Sequence, residues 1–498
     1  MKTDKKFDII VIGAGMGGLT SACLLANKGY SVLVLEASHV PGGCSSSFYR
    51  KGYIFESGAT TLIGFDEHQP LNKLEQMLDI KLPKEPINPP MTVHQNGKTI
   101  TRWQDKEEWL SEAIKYFGEE QEQQHFWNLA YDVSDVVWKV SGKNNFFPPL
   151  DSSDWLKLLK NNPKDLWVLA YALKSVKKTA AESGISNPEF YRFLDEQLII
   201  SSQSLADDTS FLFGAPAITY TNYTNFYVPG GLIEIAKTLQ NFLSKHGGQL
   251  ITKQKVTGIE KNGSEYKVFT NKKKVFKSDV VLSNLPVWNM AELTQTSFAE
   301  YFRNESEKYD EAWGAFTMGV VTDDPFPEEI SLHHQIHLDE EEKTEGIDSN
   351  SLFISLSKKG DLIRAKDGHR VLNVSAHSRT DQWFNSNGNY DEMKKSVQNR
   401  ILQILKDKLP HFSQAEIKLL FSSTPLSWSN WVYRKKGRVG GIPQSMNRSL
   451  LDWTPNKTPF DGLYLCGDTV FPGQGIPGVT LSGINVSYRN DKYLKNRR

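Results

Sequence analysis

The stretch Phe7–Glu36, FDIIVIGAGMGGLTSACLLANKGYSVLVLE, decides the fold. Phe7 to Ile12 is a short apolar run rich in isoleucine and valine, the pattern of a strand buried on both faces of a parallel sheet. Gly15 to Lys28 reads as a helix that Gly29 stops. Tyr30 to Leu35 is a second buried strand, with Glu36 at its mouth. Within the turn Gly13-Ala14-Gly15-Met16-Gly17-Gly18, the residues Gly13, Gly15 and Gly18 stand at G-x-G-x-x-G spacing. Each has its own physical role. Gly13 allows a tight turn out of the strand, Gly15 a close approach of backbone to a pyrophosphate, and Gly18 close helix packing. The helix N-terminus adds free N–H groups and a favourable dipole for an anion. Glu36, 18 residues past Gly18, is placed to accept hydrogen bonds from ribose hydroxyls. A bare glycine turn with a packing role is the simpler alternative. Strand, helix, strand and acid in this order favour a dinucleotide, held by this turn with Met16 and Gly17 inside it.

Further motifs specify which dinucleotide. Pro41-Gly42-Gly43-Cys44-Ser45-Ser46 gives a second close backbone approach just past the acidic strand end, with serine hydroxyls beside it. Near the other end of the sequence, Leu463–Arg489 reads LYLCGDTVFPGQGIPGVTLSGINVSYR. Gly467 and Asp468 follow a short strand, where the carboxylate suits ribityl hydroxyls. Gly473, Gly475 and Gly478 repeat the glycine spacing, but no further strand–helix–strand unit follows. A helix beginning near Gly478, with Val479 and Thr480 in its first turn, would aim backbone donors at the pyrimidine edge of a flavin, where the reduced ring carries negative charge. The cofactor expected is therefore FAD, held without a covalent bond. Cys44 and Cys466, considered as covalent anchors, read better as buried packing residues.

Composition narrows the class. With 58 basic and 58 acidic residues in 498, the formal net charge is zero, and nothing points to a nucleic-acid partner. Cys23, Cys44 and Cys466 make neither a disulfide framework nor a zinc site, so a reducing, cytoplasmic compartment is expected. The basic start Met1–Lys6 and the apolar run Ile9–Ala26 have the look of an export signal, but cleavage there would remove the glycine turn. No apolar stretch reaches the length of a membrane span. The acidic stretch Asp339–Glu345 reads as a solvated loop. His333, His334 and His337 lack companion ligands, so no metal site is expected.

Along the chain, Pro229-Gly230-Gly231 opens a helix to about Lys245, Gln249–Ile259 reads as one strand, Tyr266–Thr270 and Lys274–Lys277 as a hairpin, and Asp279–Ser283 as a short buried strand. Helices are predicted within Ser152–Ala181, broken at Pro163, and over Pro188–Gln203 and Asp391–Leu409; Leu352–Leu356 and Arg370–His377 read as strands. The fold class expected is α/β: a Rossmann-like FAD-binding domain of the glutathione-reductase and amine-oxidase type with an inserted α+β substrate domain. The first is assembled from residues 1–60, 226–285 and 455–498, the second from 61–225 and 286–454, with a helical, membrane-facing part near 151–205.

With these motifs in place, the sequence resembles the carotenoid and retinoid oxidoreductases, the group of phytoene desaturases, end-group carotenoid desaturases, carotenoid isomerases and retinol saturases. The matching stretches are GAGMGGLTSACLLANKGYSVLVLEASHVPGGCSSSF from Gly13, FYVPGGLIEIAKTL from Phe226, DVVLSN from Asp279, and the C-terminal segment quoted above. The resemblance implies that Gly13, Gly15, Gly18 and Glu36 hold the ADP half, that Gly42, Gly43 and Ser45 lie along the dinucleotide, and that Val256 presents its backbone to adenine. It assigns Asp468 and the loop Gly475–Thr480 to the flavin end. Many members carry a basic residue where this chain has Cys44, which the isomerase and saturase branch tolerates. The segment GRVGGIPQSM, Gly437–Met446, resembles end-group desaturases and isomerases more than amine oxidases.

The main expectation drawn from the resemblance is a desaturase that moves a hydride from an allylic carbon of a long polyene to flavin N5, with no catalytic side chain identified. Alternatives are a redox-neutral cis–trans isomerase using reduced FAD, a saturase, a flavin amine oxidase, and a non-catalytic lipid-escort protein. Trp288, Trp428, Trp431 and Tyr433 are candidate tunnel walls, and Arg438 a partner for a polar chain end. A carotenoid or retinoid comes from a bilayer, so peripheral contact with the inner face of a membrane is expected. Ser152–Ala181, with Trp155, Leu156, Leu159 and interspersed lysines, is the candidate surface.

Overall fold

The computed structural model describes residues 6–293, 297–307, 312–386, 388–447 and 453–497. Residues 1–5, most of the basic start noted above, lie outside them, as do short parts of 286–454. Strand β1 (Lys6–Ile12), helix α1 (Met16–Asn27) and strand β2 (Val32–Leu35) form the expected opening unit. β1 pairs in parallel with β2 on one side and with Val275–Ser283 on the other. β2 pairs in parallel with Gln249–Ile251. Beyond Val275–Ser283 the sheet divides. Residues 281–283 take the C-terminal strand Leu463–Leu465 in parallel, and residues 275–278 form an antiparallel hairpin with Glu265–Thr270. Val256–Asn262 pairs with Glu265–Thr270 at that edge.

Two sequence expectations change here. Gln249–Ile259 is not one strand: Gln249–Ile251 and Val256–Asn262 occupy opposite edges of the sheet. Between them Lys253 takes a left-handed conformation (φ +55°). The Lys253 and Gln254 N–H groups donate to the Ser38 and Glu36 carbonyls at 2.9 and 2.8 Å, which carries the chain across the end of β2. Asp279–Ser283 is not a separate strand but the end of the nine-residue strand Val275–Ser283. Lys277 and Asp279 obscured its continuity, although Asp279 only pairs with Lys6 at 2.6 Å.

α1 is buried on nearly every side, against the sheet, the helix Ile233–Lys245 and the C-terminal helix Ile476–Lys495. Leu19, Leu24 and Leu25 are at most 3% exposed, and each such burial contributes about 1.5–3 kcal/mol. That environment explains why the helix shows no polar face in sequence.

A second sheet has, among the described residues, the strand order Ile417–Ser423, Gly314–Asp323, His369–Ser378, Ser351–Leu356, His333–His337, Met91–Gln95 and Lys98–Arg102. Only His333–His337 and Met91–Gln95 run parallel. Helices from the middle of the chain pack on its far end around Trp109, Trp127 and Phe193, with the Arg102 guanidinium 4.0 Å from the Trp109 ring centre. Ser152–Ala181 contains helices Ser152–Asn161 and Val176–Glu182 around a 3-10 turn, and Pro188–Ser201 is helical, capped by Asn187. The acidic stretch is less free than a solvated loop: Lys408 bridges Asp339 and Glu342 at 2.8 and 2.6 Å.

His94 in Met91–Gln95 and His333, His334 and His337 in the neighbouring His333–His337 are buried. His94 Nε2 and His334 Nδ1 share a hydrogen bond of 3.1 Å. Burial pulls His94 down to about 4, and His334 and His337 down to about 3, from an unfolded value near 6.5. Below about pH 6.5 the unfolded chain therefore binds protons that the fold refuses. Stability should fall from there toward pH 4, by at most about 1.4 kcal/mol per pH unit for each histidine. Urea midpoints at pH 7, 6 and 5 should show this slope. His337→Leu, which removes a ring with no hydrogen-bond partner, should flatten it by about one proton; identical slopes for the two proteins would contradict the assignment.

Candidate functional site

The glycine turn is built as its sequence demands. Gly13 has φ +92°, and its N–H donates to the Leu35 carbonyl at 2.8 Å, tying β1's exit to β2. A side chain at Gly18 would overlap the Gly13 carbonyl oxygen, so this glycine serves packing and does not face the cavity. Gly15 caps α1 without a side-chain hydrogen bond, and Gly15, Met16 and Gly17 line the cavity. The first N–H groups of α1 have no partner within the helix. Gly42 and Gly43 are both left-handed, and the Gly42 N–H reaches the Ala14 carbonyl at 2.8 Å. The second turn thereby seats on the first; a methyl group at Gly43 would stand 3.4 Å from Gly15 Cα. Ser45 lines the same wall.

Glu36 has a structural role that the sequence did not suggest. Its carboxylate accepts the Ala14 N–H at 2.6 Å and the Ser38 N–H at 2.7 Å, so it braces the glycine turn from within. Burial pushes its pKa up, opposed by these N–H groups. The Ala37 N–H also faces the carboxylate, and since an ionised carboxylate has about four acceptor directions, one remains for a ligand hydroxyl. Val256, buried at the bulged start of its strand, lines the same cavity.

The other wall comes from the C-terminal segment and contains residues that sequence reasoning missed. Asn284 ends the strand Val275–Ser283, and its N–H donates to the Ile12 carbonyl at 2.8 Å. Its amide side chain fills the space that methyl groups on Gly15, Gly17 or Gly467 would enter. Asp468 lines the cavity and pairs with Arg434 at 2.8 Å. Arg434 is buried, donates Nε–H to the Arg438 carbonyl, and faces the Cys44 thiol. Burial holds Cys44 above its ordinary pKa, opposed by Arg434, and burial does the same to Cys466. The C-terminal helix starts at Ile476, earlier than expected, with Gly475 (φ +81°) as its cap. Gly467 and Val479 line the cavity; Gly475, Gly478 and Thr480 do not.

The tunnel candidates separate into two groups. Trp428 is buried and lines the cavity, pressed against Gly58. Trp431, 75% exposed, and Tyr433, 38% exposed, stand at its mouth. Trp288 is fully buried in the core behind, with the guanidinium groups of Arg434 and Arg438 5.8 and 5.5 Å from its ring centre. Arg438 is also buried and lies off the lining. Their sequence neighbourhood was right, but each side chain turns inward.

One cavity of about 1260 Å³ runs from Glu36 past both glycine turns to the second sheet, where Thr317, Gly319, Asn373, Ser375, Phe421 and Ser423 form its floor. This exceeds the ~300–1,000 Å³ of ordinary small-molecule pockets and has room for two occupants in series. The near half fits a dinucleotide: unpaired helix N–H groups, a buried carboxylate, and a cradle that side chains at Gly15 or Gly43 would narrow.

Residues 16–489 match the family described as flavin containing amine oxidoreductase. The chain belongs to this family. Within the flavin-containing amine oxidoreductases it is a member of the carotenoid and retinoid group. It is 29% identical over 499 residues to prolycopene isomerase 1 of an Oncidium hybrid cultivar, covering 97% of this chain and 84% of that protein. It is 22% identical to all-trans-retinol 13,14-reductase of Danio rerio, covering 98% and 87%. Cyclohexylamine oxidase from Brevibacterium oxydans superposes with a TM-score of 0.61 at 15% identity over 99% of this chain and all (100%) of that one. The fold is thus the FAD-binding Rossmann type with an inserted substrate-binding domain.

Removing one partner of a buried ion pair strands the other charge. Arg434→Met should therefore destabilise the cofactor-free protein by about 3 kcal/mol, and the double change with Asp468→Asn by less than the sum of the single changes. Urea denaturation of the four proteins checks this; additive losses would mean that the two side chains are not coupled.

Proposed function

We propose that the cavity binds FAD and that the protein converts cis double bonds of a long polyene to trans without net redox change, with the flavin reduced. The observation that carries this reading is the end-to-end likeness to prolycopene isomerases, the plant proteins at 28–29% identity over 97% of this chain. It favours isomerisation over the desaturation expected first. The fold likeness to amine oxidases, at 14–15% identity, does not bear on substrate.

In this reading residues 1–60, 226–285 and 455–498 hold the cofactor, and 61–225 and 286–454 hold the substrate. The α1 N-terminus and the turns at Gly13–Gly18 and Gly42–Gly43 take the diphosphate, Glu36 the adenosine ribose, and the Val256 backbone the adenine. Asp468 takes the ribityl chain, its carboxylate oriented by Arg434. The first turn of the C-terminal helix directs its dipole toward the pyrimidine edge. Reduced flavin held there would lend electron density to the polyene, lowering the order of the double bond while it rotates, and would take it back afterwards, so that substrate and cofactor end with the electrons they began with. The chain positions the polyene between Trp428, Phe421 and the second sheet, and Trp428 closes the lining against water.

Anaerobic FAD-loaded protein should isomerise a cis-carotene in liposomes after dithionite reduction and stay silent when the flavin is oxidised, as followed by absorbance and chromatography. Flavin bleaching by amines, with no response to any polyene, would overturn the reading.

A lipid-borne substrate calls for a membrane-contacting surface. No helix among the described residues is long and apolar enough to cross a membrane. Leu156, Leu159, Trp167, Leu169 and Leu173 are 42–81% exposed on one segment, with Lys157 and Lys160 exposed beside them. That mixture suits insertion at an anionic lipid interface. Leu156→Glu with Leu173→Glu should cut sedimentation with phosphatidylglycerol vesicles at least tenfold; unchanged sedimentation would place the contact elsewhere.

A further inference from the structure

One row of the cavity floor is chemically unlike the surface a hydrocarbon needs. In the second sheet Thr317 pairs directly with Ser375 on one side and Ser423 on the other. Three hydroxyl side chains thus stand in one cross-strand row, and all three line the cavity. None of these hydroxyls hydrogen-bonds to another group among the described residues, and none is fully buried. In the next row Gly319 lies between Asn373 and Phe421. Asn373 uses its Oδ1 to accept the Glu56 N–H at 3.1 Å, and its Nδ2 has no partner. Gly319 has no side chain to stand between them, and a methyl group there would strike the Phe421 ring. Further along the same strands, Val321 pairs with Val371 and Leu419, so the hydroxyl row stands at the end of a face that becomes apolar through Phe421 and beyond.

A hydroxyl donates once and accepts twice. A polyene chain laid over this row would displace its water and offer nothing in return, whereas an oxygen function would pair with it. We propose that the substrate is an oxygenated polyene, bearing a hydroxyl or carbonyl group that Thr317, Ser375 and Ser423 bind. The inference rests on the polyene reading above and specifies its substrate class.

The test uses FAD-loaded protein and two cis-polyenes of equal length and geometry, a carotene and its terminally hydroxylated counterpart. Affinity is read from quenching of tryptophan fluorescence, and turnover is read separately. The native protein should bind the hydroxylated polyene at least tenfold more tightly. The triple variant Thr317→Val, Ser375→Ala, Ser423→Ala should bring the two affinities within about twofold, chiefly by losing the hydroxylated one. FAD content and circular dichroism confirm its fold; if it does not fold, the single variant Ser375→Ala should still reduce the ratio. Equal affinities in the native protein, a ratio that the substitutions leave unmoved, or no binding of the hydroxylated polyene would overturn the inference. Selective binding without turnover of either polyene would count against the isomerase reading alone.

Discussion

Everything in the cofactor half depends on two helices touching backbone to backbone. A methyl group at Gly483 on the C-terminal helix would come within 2.5 Å of the Gly17 carbonyl oxygen, and one at Gly17 would come within 3.0 Å of the Val479 carbonyl. Without side chains at these points, α1 and the C-terminal helix close to a separation that larger residues forbid. Lys28 and Tyr30 reach Asp491 at 2.7 and 2.9 Å and fix the far end of the same contact. Once the helices are seated, Leu463–Leu465 falls beside Val275–Ser283, and Gly467 and Asp468 arrive opposite Gly15. Asn284 stands where these pieces meet, filling the gap that three glycines leave.

A second joint sets the distance between cofactor turn and substrate floor. Glu56 is buried and pairs with the equally buried Arg364 at 3.2 Å. It also accepts the Ser47 hydroxyl at 2.6 Å and the Leu232 N–H at the start of the helix Ile233–Lys245. Its own N–H is held by Asn373, on the floor. Burial raises its pKa, and Arg364 opposes the shift. A buried pair of this kind adds little net stability, because desolvation offsets the attraction. Its geometry is what it contributes: one carboxylate is tied to the helix that follows the Pro-Gly-Gly turn and to the second sheet, and neither moves without breaking it.

These two joints also explain what the sequence made legible. The opening unit, the two glycine turns and the position of Asp468 follow from local rules, since each depends on neighbours within a few residues. The place of Glu36 at the end of β2, lining the cavity, was legible for the same reason, whereas its bonds to Ala14 and Ser38 were not. Arg434 carried no signal, because a lysine- and arginine-rich loop reads as solvated until the fold brings Asp468 to it. Trp288 and Arg438 were misplaced for a related reason: nearness to the site in sequence does not say which way a side chain faces. The split at Lys253 was hidden because apolar residues continue on both sides of it. The hydroxyl row was beyond reach, since Ser375, Thr317 and Ser423 meet only through the register of three strands far apart in the chain.

The lining of the cavity changes character along its length, and the change bears on chemistry. Among the charged groups that line it, Glu36 is committed to Ala14 and Ser38, Glu56 to Arg364 and Asp468 to Arg434, and the Arg50 guanidinium lies 4.3 Å from the Phe421 ring centre. Toward the second sheet, the residues from Thr317 to Gly319, from Asn373 to Ser375, and at Phe421 and Ser423 include no acid, base or thiol. A bound ammonium ion would find no carboxylate on that floor, and a proton leaving a substrate carbon would find no strong acceptor. In the function proposed above, the chemistry over this floor would fall to the flavin, with side chains that orient and pair but do not titrate. A rearrangement that begins and ends with the same number of protons and electrons on the substrate fits such a surface better than one that must dispose of a proton at every turnover.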